Sequence, residues 1–209
     1  MKWAVLSGDI VASSDIWPSA LDTIVNNIEN VSWQGSDWGH TDADRTITGF
    51  ARRGGDGWQL AINRPVLALR LALYIKARLR HLSPDYATRI AVASSEGEEL
   101  ERMMADLNSA HGAVFIASGR LLDKLTGDTL MAHADGGALD AAFRLADHIS
   151  QGWTQAQARS LCRMLPPGAG PRRIAADELG ISRQAVDQAL NSAGYPAIMD
   201  ALEAIEAQG

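Results

Sequence analysis

The fold is decided around the stretch WAVLSGDIVASSD, residues 3–15, in which a carboxylate follows a short apolar run. Residues 2–7 are predicted to form a buried strand, so Asp9 stands at the edge of that strand. A bare carboxylate is costly to bury, and its presence there needs a reason. Two interpretations remain open: Asp9 caps a local turn, or it serves a metal or phosphate site.

The composition indicates a packed globular protein. The chain has 209 residues, of which 46% are apolar, enough for one large domain or for a medium and a small one. The formal net charge of −6 gives no overall attraction to nucleic acid or acidic membranes, so any DNA contact has to come from a local patch. The apolar runs are too short for a secretory leader or a membrane span, and a cytoplasmic protein without a membrane partner is expected. The single cysteine, Cys162, excludes an intrachain disulfide and disfavours a cysteine-based metal site.

The apolar spacing then alternates between helical and strand periods. The turn GGDG, residues 54–57, joins two strands as a hairpin, and the arginines of the following helix, Arg70 among them, are expected along its surface. The order of elements predicts an α+β fold, ferredoxin-like, with helices packed on one side of the sheet. Helices are predicted over 20–28, 65–81, 96–110 and 114–125, strands over 45–53, 58–63, 87–95 and 129–134, and an exposed loop over 29–44.

A second unit begins near residue 152, where strands vanish and helical patterns of Ala, Leu, Arg and Gln take over. The boundary is placed between about 138 and 153, with a helix over 139–149 at the junction. The sequence therefore predicts a first domain over 1–138 and a small all-α domain over 139–209.

The second unit carries the segment RRIAADELGISRQAVDQALNSAG, residues 172–194, which has the spacing of a helix-turn-helix. Gly180 lies at the sharp turn, Ser182 is the predicted N-cap, and Val186 and Leu190 are predicted to be buried. The exposed side of the second helix suits base edges, because Arg pairs with guanine and Gln or Asn with adenine. The residues predicted to contact DNA are Arg172, Arg173, Ser182, Arg183, Gln184, Gln188 and Asn191.

A protein-contact or dimerisation role is the alternative for this unit. Residues 151–209 contain five basic and six acidic side chains, a poor balance for a protein whose affinity rests on phosphate contacts. A homodimer is expected, because one such unit rarely binds DNA with useful affinity and paired half-sites usually do.

A second carboxylate, Asp56, lies in the predicted hairpin turn between Gly55 and Gly57. If the hairpin packs beside the first strand, Asp9 and Asp56 face one another across the sheet edge, and a divalent cation, Mg²⁺ or Mn²⁺, would resolve their repulsion. Mg²⁺ takes one or two carboxylates and completes its shell with water and phosphates, while the glycines let a triphosphate approach the backbone. The alternative is that Asp-Gly is simply a favourable turn pair and that Asp9 caps the next segment.

The segments GDIVAS, GGDGWQLAI and TRIAVA resemble the sheet segments of class III nucleotidyl cyclases. The whole chain, with HGAVFIASGRLLDKL and the helix-turn-helix, is similar to the SatD family of bacterial proteins. The resemblance implies a cyclase-like domain fused to a DNA-binding unit, with Asp9 and Asp56 as metal ligands and a nucleoside triphosphate or cyclic nucleotide as ligand. The candidate nucleotide-binding residues are Gly8, Ile10, Arg52, Gly55 and Gly57.

The chain also departs from the cyclase pattern. Active cyclases carry an Asn and an Arg one helical turn apart, and the Arg stabilises charge on the transferring phosphate. Arg120 is the catalytic candidate here, but Ile116 stands where the Asn is expected. Arg52 occupies the base-selecting position and fits neither usual choice, Lys or Glu, so base recognition does not carry over.

These observations predict a cytoplasmic regulator whose first domain binds a metal and a nucleotide and whose second domain binds DNA. Two alternatives stay open. The protein is an active nucleotidyl cyclase or a related phosphoryl-transfer enzyme, or it is a non-catalytic protein-interaction module.

Overall fold

The computed structural model describes residues 2–39, 45–96, 107 and 112–208. They form an α+β structure with a five-stranded mixed sheet, which confirms the predicted class. The strands are β1 (Lys2–Ile10), β2 (Thr48–Arg53), β3 (Gly57–Ile62), β4 (Thr88–Glu96) and β5 (Met131–His133). Their order in the sheet is β2-β3-β1-β4-β5, with antiparallel neighbours except for β5, which runs parallel to β4.

Helices occupy most of the remaining described chain, and short 3₁₀ turns follow β1 at Ser13–Asp15 and precede the second helix at Pro65–Leu67. The α-helices are α1 (Pro18–Gly35), α2 (Ala68–Leu82), α3 (Ala113–Leu122), α4 (Gly137–Gln151), α5 (Gln155–Met164), α6 (Arg172–Leu179), α7 (Arg183–Ser192) and α8 (Tyr195–Glu206). Of the helices that the structure describes, none combines the length and apolar character needed to cross a membrane.

Helices pack on both faces of the sheet, so the expectation that they cover one side is wrong. Leu6 and Ile10 of β1 point into the larger core with α1 and α2, whereas Trp3 and Val5 point into a smaller core that includes Phe115 of α3. The physical reason is the unbroken apolar run at the start of β1, since successive strand residues face opposite sides and both sides therefore need cover.

Several predicted boundaries also differ from the structure, among them those of β1 and α1. β1 continues to Ile10, so Asp9 lies within the strand. α1 continues to Gly35 through the first part of the predicted loop, because Val31 and Ser32 are buried and Thr48 Oγ1 donates to the Ser32 carbonyl at 2.7 Å. The rest of that loop over 40–44, and most of the helix predicted over 96–110, lie outside the described residues.

The larger core joins the sheet to the C-terminal helices through α2. Leu69 of α2 and Phe143 of α4 belong to this one core, although the predicted boundary at 138/139 separates them. Arg70 is not at the surface as predicted. It is 3% exposed, donates to both carboxylate oxygens of Glu206 at 2.6 and 2.9 Å and to the Leu165 carbonyl at 2.7 Å, because α8 covers this side of α2.

Candidate functional site

Asp9 forms a two-bond ion pair with Arg89, its direct neighbour across β1 and β4. Arg89 Nε donates to Asp9 Oδ1 at 2.7 Å and Nη2 donates to Oδ2, while Nη1 donates to the Leu125 carbonyl at 2.9 Å. The hydrogen bond to Asp9 raises the pKa of Arg89. Both oxygens of the predicted metal ligand therefore have a cationic partner in this structure.

Asp56 lies in the turn between β2 and β3, beside the end of β1. Its Oδ2 accepts a hydrogen bond from Ser13 Oγ at 2.5 Å, and its carbonyl accepts from the Ile10 amide at 3.3 Å. Ala12, next to Ser13, has a φ of 53°, a left-handed conformation that costs a residue with a side chain roughly 1 kcal/mol. The strained turn after β1 thus brings a hydroxyl onto the second carboxylate.

A cleft of about 500 Å³ contains Asp9, Asp56 and Arg89. The turn over residues 10–14 lines one part of it, and the segment over 125–127 lines another. The volume is within the range of small-molecule sites. The structure therefore brings the two predicted metal ligands into one cleft and adds a guanidinium to them.

The two carboxylates match the number that Mg²⁺ uses when water and phosphates supply its other ligands. The guanidinium of Arg89 already pairs with both carboxylate oxygens of Asp9, however. A metal ion bound to Asp9 therefore has to displace this guanidinium. Within the described ranges, no set of three or more His, Cys, Asp and Glu side chains is arranged to hold a metal. The donor set therefore fits a divalent cation only together with an anionic ligand that accepts Arg89, such as a phosphate.

Gly8 has a packing role next to this cleft. A Cβ at Gly8 would lie 2.3 Å from Cζ2 of Trp58, whose Nε1 donates to Thr88 Oγ1 at 2.9 Å. Gly57 is similarly tight, with 2.5 Å between an added Cβ and the Arg53 carbonyl oxygen. The side chain of Ile10 is buried in the larger core. These three positions shape the end of β1.

The remaining candidates lie elsewhere. Arg52 donates to Asp22 of α1 at 2.6 Å and to the Gly55 carbonyl at 2.6 Å, and it pairs in register with Trp58, on the α1 side of the sheet. Arg120 is exposed on α3 and is not among the described residues that line the cleft. The structure therefore brings neither Arg52 nor Arg120 to Asp9.

Arg89 is the site residue that sequence reasoning missed. It lies within the quoted strand TRIAVA and is the one charged side chain of that segment. A charge inside an otherwise apolar strand is a usable signal, because it needs a partner. The partner itself follows only from the register that places Arg89 opposite Asp9.

The second candidate site is the pair α6 and α7. Gly180 has a left-handed φ of 66°, and Ser182 Oγ accepts from the Ala185 amide at 3.1 Å, as predicted for the turn and the N-cap. Val186 and Leu190 are fully buried. Six of the seven predicted DNA contacts are exposed, and Arg172 is half-buried. The exposed ones are Arg173, Ser182, Arg183, Gln184, Gln188 and Asn191.

Carboxylates pair with the arginines of this unit. Arg172 donates to Asp187 at 2.8 Å, and Arg183 Nε lies 3.6 Å from the same carboxylate. Arg173 donates to Asp177 at 3.0 Å. Exposed uncharged amides, rather than unpaired cations, are thus the main feature of the outer face of α7.

These features define the chain as an α+β protein. It has a cleft that contains two carboxylates and an arginine, and a helix-turn-helix whose second helix is capped. Comparison with models of known protein families gives no match, and comparison with curated proteins gives none either.

Proposed function

We propose that the protein is a DNA-binding regulator of the SatD type, which contacts DNA through α7. The observation that carries the proposal is the exposed row of Gln184, Gln188 and Asn191 on a helix whose turn and cap have helix-turn-helix geometry. Amide side chains match the donor and acceptor pattern of adenine in the major groove. A dimer on a two-fold symmetric site is the expected bound form, since paired half-sites supply the affinity.

The arginine pairs on this unit are compatible with DNA contact. Exposed ion pairs such as Arg173 with Asp177 contribute little to stability, so a phosphate can replace the carboxylate at small cost. Asp187 stays beside Arg172 and Arg183, and its negative charge repels the phosphates of the DNA backbone. We therefore expect affinity that depends strongly on base sequence and weakly on salt.

Selection from random-sequence DNA, followed by gel-shift titration, tests this proposal. The double variant Gln184→Ala/Gln188→Ala is expected to weaken binding to the selected site at least about tenfold, because a good base contact is worth about 1–3 kcal/mol. The matched control is Asn26→Ala/Asn30→Ala, which removes two exposed amides from α1. Failure to enrich any sequence, or equal binding by both variants, would overturn the proposal.

We further propose that the cleft around Asp9 binds a metal-associated nucleotide. The supporting observation is that Asp9, Asp56 and Arg89 share one cleft. Asp9 and Asp56 would hold Mg²⁺ or Mn²⁺, which supplies positive charge to the phosphates, and Arg89 would bind a phosphate oxygen. The order β1-α1-β2-β3-α2-β4, with antiparallel neighbours, supports the ferredoxin-like, cyclase-like interpretation of this domain.

Thermal stabilisation by ATP, GTP and their cyclic forms, with Mg²⁺ or Mn²⁺, tests the nucleotide site, and chromatography of the products tests turnover. Stabilisation that is lost in Asp9→Asn and Asp56→Asn but kept in the control Asp85→Asn, an exposed loop carboxylate, supports binding. A product made only by the wild type and the control favours the alternative that the protein is an enzyme. The absence of both effects would overturn the nucleotide site.

A further inference from the structure

A second cleft, separate from the one around Asp9, lies between α2, α5 and α6, with the end of α1 beside it. It has a volume of about 570 Å³, and we name it the arginine cleft after its charged side chains. The residues that matter for its chemistry are Tyr74, Arg78, His81, Arg159, Arg163 and Ile174. The first helix of the helix-turn-helix unit forms one of its walls.

The charge in the arginine cleft is unbalanced. Arg163 has a carboxylate partner, Glu178, at 3.2 Å. Arg78 donates to the Asn27 side chain at 3.1 Å and to the Tyr74 hydroxyl at 3.5 Å, and Arg159 donates to the Leu179 carbonyl at 2.6 Å. Among the described contacts, the partners of Arg78 and Arg159 are therefore all neutral.

The positive charge of the arginine cleft also acts on His81. Burial lowers the pKa of its imidazole, and the guanidiniums of Arg159 and Arg78 lower it further. Both arginines therefore act on one point near the mouth of the cleft. A neutral imidazole there can still donate or accept a hydrogen bond.

An apolar surface lies beside these cations. Tyr74 packs against Trp38 with ring centroids 5.7 Å apart, and both line the cleft although they are only 4% and 6% exposed. Ile174 of α6 is 41% exposed and lines the same cleft. A guanidinium next to aromatic and aliphatic side chains is the arrangement that selects an anion with a flat apolar body.

We propose that the arginine cleft binds a small organic anion that carries an aromatic ring. The anionic group pairs with Arg78 and Arg159, and the ring packs on the exposed side chain of Ile174, beside Tyr74. The inference is independent of the proposed function, because it requires neither DNA nor a ligand at Asp9. A ligand in this place touches α6 directly.

Fluorescence titration of the full chain with anilinonaphthalene sulfonate tests the proposal, since this probe combines a sulfonate with aromatic rings. We expect one-to-one binding that is at least about tenfold weaker in Arg78→Gln/Arg159→Gln. Arg78→Lys/Arg159→Lys keeps the charges and is expected to retain most of the affinity. The control Arg144→Gln removes an arginine of α4 outside the cleft, one that pairs with Asp140.

Cys162 provides a second readout, because it is the single cysteine of the chain and lines the arginine cleft. At pH 9 the bound probe is expected to slow the reaction of Cys162 with N-ethylmaleimide in the wild type and not in Arg78→Gln/Arg159→Gln. Circular dichroism and thermal unfolding verify that the variants are folded. Equal probe affinity in the Gln double variant and the Arg144→Gln control, or binding without protection of Cys162, would overturn the proposal.

Discussion

At the scale of single residues, Gly8 shows how closely the central strands pack. A methyl group at this position would lie 2.3 Å from the ring of Trp58 and 2.5 Å from the Arg89 carbonyl oxygen. Neither neighbour is free to move, because Trp58 is buried and hydrogen-bonded to Thr88 and the carbonyl belongs to β4. Gly8 therefore keeps the end of β1, and with it Asp9, at its place in the sheet.

The variant Gly8→Ala is expected to lower the free energy of unfolding by about 3 kcal/mol, since overpacking a closed site forces the backbone to shift. Urea denaturation measures the change. Gly119→Ala is the matched control: its added methyl meets no atom within 4 Å, and the residue lies in α3, where Ala is the better helix former. The control is expected to stabilise the protein by about 0.5–1 kcal/mol. Equal effects of the two variants would contradict this account.

The thiol of Cys162 is expected to react slowly in the folded protein. Burial raises its pKa to about 12, and only the thiolate is nucleophilic. The alkylation rate at pH 7 should be about a thousandfold below that of a thiol with its ordinary pKa, and it should rise about tenfold for each pH unit between 8 and 10. Iodoacetamide labelling followed by mass spectrometry measures the rate, with the urea-unfolded chain as reference. A plateau near pH 9 would show that the thiol is not desolvated.

At the scale of elements, α6 and α7 depend on their turn. The left-handed Gly180 ends α6, and the hydroxyl of Ser182 satisfies the Ala185 amide at the start of α7. Neither feature needs a distant partner, which is why both were predictable from the local sequence.

Replacing the cap separates its contribution from that of the helix. Ser182→Ala is expected to cost about 1 kcal/mol, because the amide loses its acceptor, whereas Ser182→Asp keeps an acceptor and should cost little. Ser182 is exposed, so the Ala substitution opens no cavity. Chemical denaturation of both variants decides the question, and identical stabilities would show that the cap contributes nothing.

At the scale of the whole molecule, a buried ion pair ties α2 to α4. Lys76 Nζ lies 2.6 Å from Asp147 Oδ1, and Asp147 Oδ2 accepts from the Leu130 amide at 2.7 Å and from Gln151 at 3.0 Å. The pKa of Lys76 lies below its ordinary value, because burial lowers it more than the neighbouring Asp147 raises it. The pair crosses the boundary between the two predicted domains.

Lys76→Met should destabilise the protein by about 3–5 kcal/mol, because it leaves Asp147 buried without its cation. The double variant Lys76→Met/Asp147→Asn removes the charge but keeps a carbonyl for the Leu130 amide, and it should recover more than half of the loss. Calorimetry gives both values. A double variant less stable than Lys76→Met would mean that the carboxylate does not need the lysine.

The sequence alone determined the local features of this protein. Apolar periodicity predicted the α+β class and most strands and helices, since amphipathic spacing reflects the side that an element buries. Gly180, Ser182 and the exposed positions of α7 followed from rules that act within one turn of helix. The C-terminal end of α1 did not follow from such rules, because burial of Val31 and Ser32 extends the helix through a polar stretch of sequence.

Only the tertiary structure decided which carboxylate pairs with which arginine. It placed Arg89 on Asp9, Arg70 on Glu206 and Arg52 on Asp22, and it gathered the arginine cleft from four helices. Strand register and helix packing set these pairs between residues far apart in the chain. Charge and local spacing show that a buried or strand-bound arginine needs a partner, but the choice among distant carboxylates depends on contacts that form only when the sheet and the helices assemble.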